Sequence, residues 1–60
     1  RALRMVVALA GVDRERAATL MAEAGDHVKT AVVMGRLDVS RSEAMRRLED
    51  ASFDLRKILK

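Results

Sequence analysis

Apolar residues recur along this chain at three- and four-residue spacing, with glycine or a small polar residue between one run and the next. Leu3, Val6, Val7 and Ala10 follow the i, i+3, i+4, i+7 rule of a single helix face. Gly11 stands just past that helix, where a left-handed backbone costs glycine little. Asp13 is placed to cap a second helix over residues 14–24, whose inward stripe is Ala17, Leu20, Met21 and Ala24, and Gly25 stops it. Asp26 is placed to cap a third helix over residues 27–37, with Val28, Ala31, Val32 and Gly35 turned inward. Ser40-Arg41-Ser42-Glu43 matches the S-x-x-E capping box and opens a fourth helix carrying Ala44, Met45, Leu48 and Ala51. Ser52 can cap a short last helix with Leu55, Ile58 and Leu59, and Lys57 and Lys60 lie near its negative end.

The pattern is duplicated. Shifted by 27 residues, Val12-Asp13-Arg14, Ala17, Met21, Ala24 and Val28-Lys29 fall on Val39-Ser40-Arg41, Ala44, Leu48, Ala51 and Leu55-Arg56 without a gap. The expected fold is therefore all-α: a small orthogonal bundle of about five short helices built from a duplicated helix pair. Alanine and glycine at inward positions let helix axes approach closely, which favours such a bundle over a coiled coil with large residues every 3.5 positions. The β-branched residues sit inside helix-period stripes, so strands are not expected.

Sixty residues make a single domain, 1–60, too small to bury more than about 60% of the surface its unfolded chain exposes. With no cysteine to staple it, an apolar core or a larger partner has to hold it. The apolar run Met5 to Ala10 is far short of the ~20 residues that span a bilayer. A non-membrane, cytoplasmic protein is the expectation. The chain starts at Arg1 inside what reads as a helix already under way, which suggests a piece of a longer polypeptide. The net charge of +3 could favour an anionic partner, but acids lie among the bases and no block of like charge forms a binding tail.

No nucleophile beside a base, paired carboxylates, metal-ligand set or glycine-rich phosphate loop is visible, so no catalytic residue, metal or cofactor is assigned. His27, the lone histidine, reads as structural or exposed. Gly25-Asp26-His27-Val28-Lys29 is the cluster with chemical content, since a helix start has free amides and Lys29 adds a cation suited to phosphate. The four methionines read as packing, and Phe53, the only aromatic, offers no stacking platform for single-stranded nucleic acid. Residues 31–48 also read as a helix-turn-helix in which Ser40, Arg41, Arg46 and Arg47 face a DNA groove or phosphates. Glu43, Glu49 and Asp50 on the same helix argue against nucleic acid as the partner.

Arg1 to Val7, Gly11-Val12-Asp13, Ala22 to Met34 and Leu37 to Ala44 together resemble the C-terminal helical region of the N-acetylmuramic acid 6-phosphate etherases, over nearly the whole chain. Val28-Lys29-x-Ala31-x-Val33-Met34 is the most specific part. The family usually has glycine where this chain has Asp38, and commonly a small polar residue at His27. The helix pairs also resemble ubiquitin-associated-like domains, and the related glucokinase regulatory protein carries a similar helical lid. The resemblance implies a cytoplasmic lyase of cell-wall recycling, which removes D-lactate from its sugar phosphate and leaves N-acetylglucosamine 6-phosphate. It further implies that the acid/base carboxylates sit in a preceding sugar-isomerase domain, absent here, and that these helices cover or brace the sugar-phosphate site and contribute to a homodimer. Lys29 is then the one residue nominated for substrate-phosphate contact. The alternatives are the DNA binder and a free-standing protein-interaction module.

Overall fold

Helix caps and stops set the order of elements. The computed structural model describes residues 2–59, over which the chain forms α1 (Ala2–Ala10), α2 (Arg14–Glu23), α3 (Val28–Leu37), α4 (Arg41–Asp50) and α5 (Leu55–Ile58). No strand occurs among the described residues. The expected place of Lys60 beside the last helix lies outside them.

Asp13 caps α2, its carboxylate accepting from the Arg16 N–H at 2.7 Å, and Ser40 Oγ accepts from the Glu43 N–H at 3.2 Å to open α4. The expected capping box is only half made. Glu43 turns instead to Arg46 and Arg47, each 3.0 Å away, because residues three and four positions on share its side of the helix.

Two expected caps are displaced. His27 rather than Asp26 stands at the start of α3, and it makes no side-chain cap bond. Asp54 rather than Ser52 caps α5, accepting from the Arg56 N–H at 3.0 Å. The reason is the same in both places. Helices α2 and α4 close with Schellman bonds, Asp26 N–H to Met21 O at 2.9 Å and Phe53 N–H to Leu48 O at 2.6 Å. That closure holds Gly25, Asp26, Ser52 and Phe53 at φ of 63°, 64°, 55° and 59°, so neither Asp26 nor Ser52 has the extended backbone a cap needs.

The backbone repeats with the sequence. A shift of 27 carries α2 onto α4, the left-handed pair 25–26 onto 52–53, and the extended His27 (φ −88°, ψ 107°) onto Asp54 (φ −97°, ψ 103°). It also carries Gly11 (φ 69°) onto Asp38 (φ 57°), so α1, α3 and α5 are successive copies of one helix position. Asp38 thus occupies a left-handed site where glycine would be unstrained, and a short acid tolerates it better than most side chains.

Burial does not repeat. Helix α3 packs against all four others and buries five consecutive residues, Thr30 to Met34, whereas periodicity alone marked only Ala31 and Val32 among them. Around it the core is Val6, Ala10, Ala17, Leu20, Ala24, Ala44 and Leu48, with Leu3, Val7, Met21, Val28, Met45, Leu55 and Ile58 packed at its edge. Gly35 sits where α3 meets α1 and α2, and a Cβ there would stand 2.6 Å from Leu20 Cδ1 and 3.0 Å from Ala10 Cβ.

Hydrogen bonds from Arg46, then from Arg47, hold Glu43 below the ordinary carboxylate range, and the Arg56 side chain and N–H do the same for Asp54. A depressed carboxylate stabilises the fold above its unfolded pKa and loses that contribution as pH falls through the folded value. The thermal midpoint should therefore hold level from neutral pH to about 5 and fall below about 4. Glu43→Gln/Asp54→Asn should flatten that decline, and an acid limb of unchanged steepness in the variant would refute the assignment.

Candidate functional site

The stretch Gly25 to Lys29 lies against the second left-handed junction of the chain. Gly25, His27, Thr30, Arg41, Met45 and Phe53 line a groove with room for about 270 Å³ between the two copies of the junction. The folding reason is the repeat itself: α3 runs from the first junction and α4 runs into the second, and these two helices pack together.

A polar chain crosses the groove floor. His27 Nδ1 and Thr30 Oγ1 share a hydrogen bond at 2.5 Å, and the Thr30 hydroxyl also reaches Met45 Sδ at 3.3 Å. Thr30 is buried, so these partners offset the cost of taking its hydroxyl out of water. The His27 ring stands edge-on to Phe53, centroids 6.2 Å apart and planes at 82°. Arg41 lies over the Gly25 backbone, its Nη2 3.4 Å from where a Cβ would be.

Lys29, the nominated phosphate contact, donates from Nζ to the Phe53 carbonyl at 2.6 Å. It therefore ties the first turn of α3 to the second junction, and its ammonium keeps two further donors for a ligand. Helix α3 is the one among α2 to α5 with no side-chain cap bond, so its first amides remain available for an acceptor. Arg41 lines the groove and Lys29 stands beside it on the Phe53 carbonyl, while Asp26, which caps no helix, sets a carboxylate in the same stretch.

Three of the nine carboxylates serve elsewhere. Asp13 caps α2, Asp54 caps α5, and Glu43 is held between two arginines. Among the described residues no group of three or more His, Asp or Glu is placed to hold a metal ion, and no helix is long and apolar enough to cross a membrane. The four residues of the helix-turn-helix reading make local contacts, and two arginines on one glutamate keep a net positive charge. Arg46 and Arg47 pair with Glu43, Ser40 caps α4, and Arg41 turns to Gly25.

Sequence reasoning reached Gly25, His27 and Lys29 but missed Thr30, Arg41, Met45 and Phe53. The signal was present in part: Thr30 lies three residues beyond His27, on the same helix side, and the 27-residue shift pairs the two junctions. That the junctions meet across α3 is a tertiary fact.

An N-acetylmuramic acid 6-phosphate etherase of an Exiguobacterium strain is 49% identical to this chain over 59 residues, 98% of the chain and 20% of that protein. Proteins of the same name from a Synechococcus strain and from Deinococcus radiodurans are 42% and 41% identical, each over 98% of the chain and 19% of the relative. The chain thus spans about a fifth of the length of the curated relatives it matches. No family model matches it, and no solved structure matches it significantly. Over almost its whole length, then, this helical chain is related by sequence to the N-acetylmuramic acid 6-phosphate etherases, as a segment a fifth of their size.

Proposed function

We propose that the chain is the C-terminal helical accessory segment of an etherase-like lyase, packed on or over a sugar-isomerase domain in a cytoplasmic homodimer. The reaction of the intact protein is elimination of D-lactate from N-acetylmuramic acid 6-phosphate, followed by hydration to N-acetylglucosamine 6-phosphate. The observation that carries this reading is the 41–49% identity to etherases over 98% of the chain. Three of its nine carboxylates, Asp13, Glu43 and Asp54, are committed to caps and ion pairs, in keeping with an accessory role. On this reading the bond-breaking acid and base belong to the other four fifths of the protein.

The test is lactate release from three preparations: the intact protein, the protein without this segment, and the segment alone. The intact protein should turn over and the other two should not. Lactate from the segment alone, or full activity without it, would sink the proposal.

Within this reading Lys29 donates to the substrate phosphate through N–H groups that its bond to Phe53 leaves free. Lys29→Met in the intact protein should raise KM for the sugar phosphate about tenfold with little change in kcat, the loss of one charge-assisted hydrogen bond. A role confined to bracing the junction predicts another result: stability lower by about 1 kcal/mol and KM unmoved.

A further inference from the structure

The 27-residue shift sets His27 on Asp54 and Lys29 on Arg56, yet the two cations meet different partners. In the second copy the Asp54 carboxylate takes the Arg56 side chain at 3.3 Å, so that charge is matched locally. In the first copy the His27 ring turns to Thr30, and Lys29 makes no ion pair with any described carboxylate, Asp26 included. The Lys29 ammonium rests instead on an uncharged oxygen, the Phe53 carbonyl at 2.6 Å. Its charge is anchored without being neutralised.

That oxygen is itself held. The Phe53 N–H donates to Leu48 O at 2.6 Å, the Asp54 N–H donates to Ala51 O at 3.1 Å, and the half-buried Phe53 ring stands edge-on to His27. With Phe53 at φ 59°, the left-handed backbone decides where the carbonyl points. An exposed lysine otherwise spreads over many rotamers, and it gives up that freedom on meeting a ligand.

We infer that Phe53 is a positioning residue for the phosphate contact of Lys29: its main-chain carbonyl, fixed by the second junction, aims the ammonium and leaves two N–H groups for the phosphate. The inference rests on the proposed role of Lys29 and goes beyond it, because it gives the second unit of the repeat a part in binding a ligand held by the first. Ordering a long side chain before the ligand arrives removes that cost from binding. For one lysine the gain is about threefold to tenfold in affinity.

The test is steady-state kinetics of the intact protein on N-acetylmuramic acid 6-phosphate. Phe53→Val places a β-branched residue at φ 59°, a conformation it resists, so the carbonyl shifts; KM should rise about threefold to tenfold with kcat little changed. Phe53→Asn gives up the ring but suits the left-handed backbone, and should keep KM near the parent value. In a Lys29→Met background Phe53→Val should raise KM no further, because Phe53 acts through the ammonium. A further rise there, equal KM for the Val and Asn variants, or a parental KM for Phe53→Val while Lys29→Met raises it would overturn the positioning role and leave the Lys29 reading standing. KM unmoved by Lys29→Met would overturn both. If Phe53→Val loses helicity, NMR of the isotope-labelled full chain decides: a hydrogen-bond coupling between Lys29 Nζ and the Phe53 carbonyl carbon is expected, and a freely rotating Lys29 side chain would overturn the proposal.

Discussion

Leu20→Ala should leave this domain largely unfolded near room temperature. Leu20 is fully buried where α2 meets α3, and truncating such a leucine removes both its transfer free energy and its packing, typically about 3 kcal/mol. A single small core of this size rarely supplies more than about 3–5 kcal/mol, so one substitution consumes most of it. In urea or thermal unfolding followed by helicity, the midpoint should drop by about 12–24 °C. The control comes from the repeat. Shifted by 27, Leu20 falls on Arg47, which is exposed and paired only with Glu43, and Arg47→Ala should change stability by less than about 1 kcal/mol. Equal losses for the two variants would mean that the two halves carry equal loads, against the burial described above.

Gly35→Ala should destabilise the domain even though alanine is the better helix former. In an unobstructed helix the exchange gains about 1 kcal/mol. Here the added methyl would stand 2.6 Å from Leu20 Cδ1 and 3.0 Å from Ala10 Cβ. The leucine tip can shift only into a filled core, and the Ala10 methyl is fixed to the α1 backbone, so α1 and α3 must separate. Overpacking of this kind costs about 1–3 kcal/mol, for an expected net loss of about 1–2 kcal/mol. Gly35→Val should cost more, because both γ-carbons enter the same space. Combining Gly35→Ala with Leu20→Ala should cost less than the sum of the singles, because the new methyl enters room that the leucine vacated. A stabilised Gly35→Ala chain, or strict additivity, would show that contact across Gly35 does not limit the approach of the helices.

The residues that were legible are those whose interactions close within a few positions. Asp13 and Ser40 meet amides three residues on, and Gly11 ends α1 with a left-handed turn; all three follow from local geometry. Asp26 and Ser52 look like equally good caps by residue type. They fail because the Schellman closure of the preceding helix extends two residues further and takes both positions into the left-handed region. His27 and Lys29 were visible as a cluster, but not as a histidine bonded to a buried threonine and a lysine bonded to a carbonyl 24 positions away. Nothing within a few residues of Lys29 encodes Phe53 as its partner.

The sequence by itself determined the duplicated unit, the five helices, the inward alanines, the glycine stops and the kinship with a segment of the etherases. These rest on spacing, caps and residue identity, each felt over a few positions or read directly against relatives. Only the tertiary structure decided that α3 is the buried helix while α1 and α5, its copies, keep apolar residues near water. It also decided that the two junctions meet to form the groove. The physical reason is that burial depends on what stands opposite a residue: in a stack of two units the middle helix has neighbours on both flanks, and the outer ones have a neighbour on one.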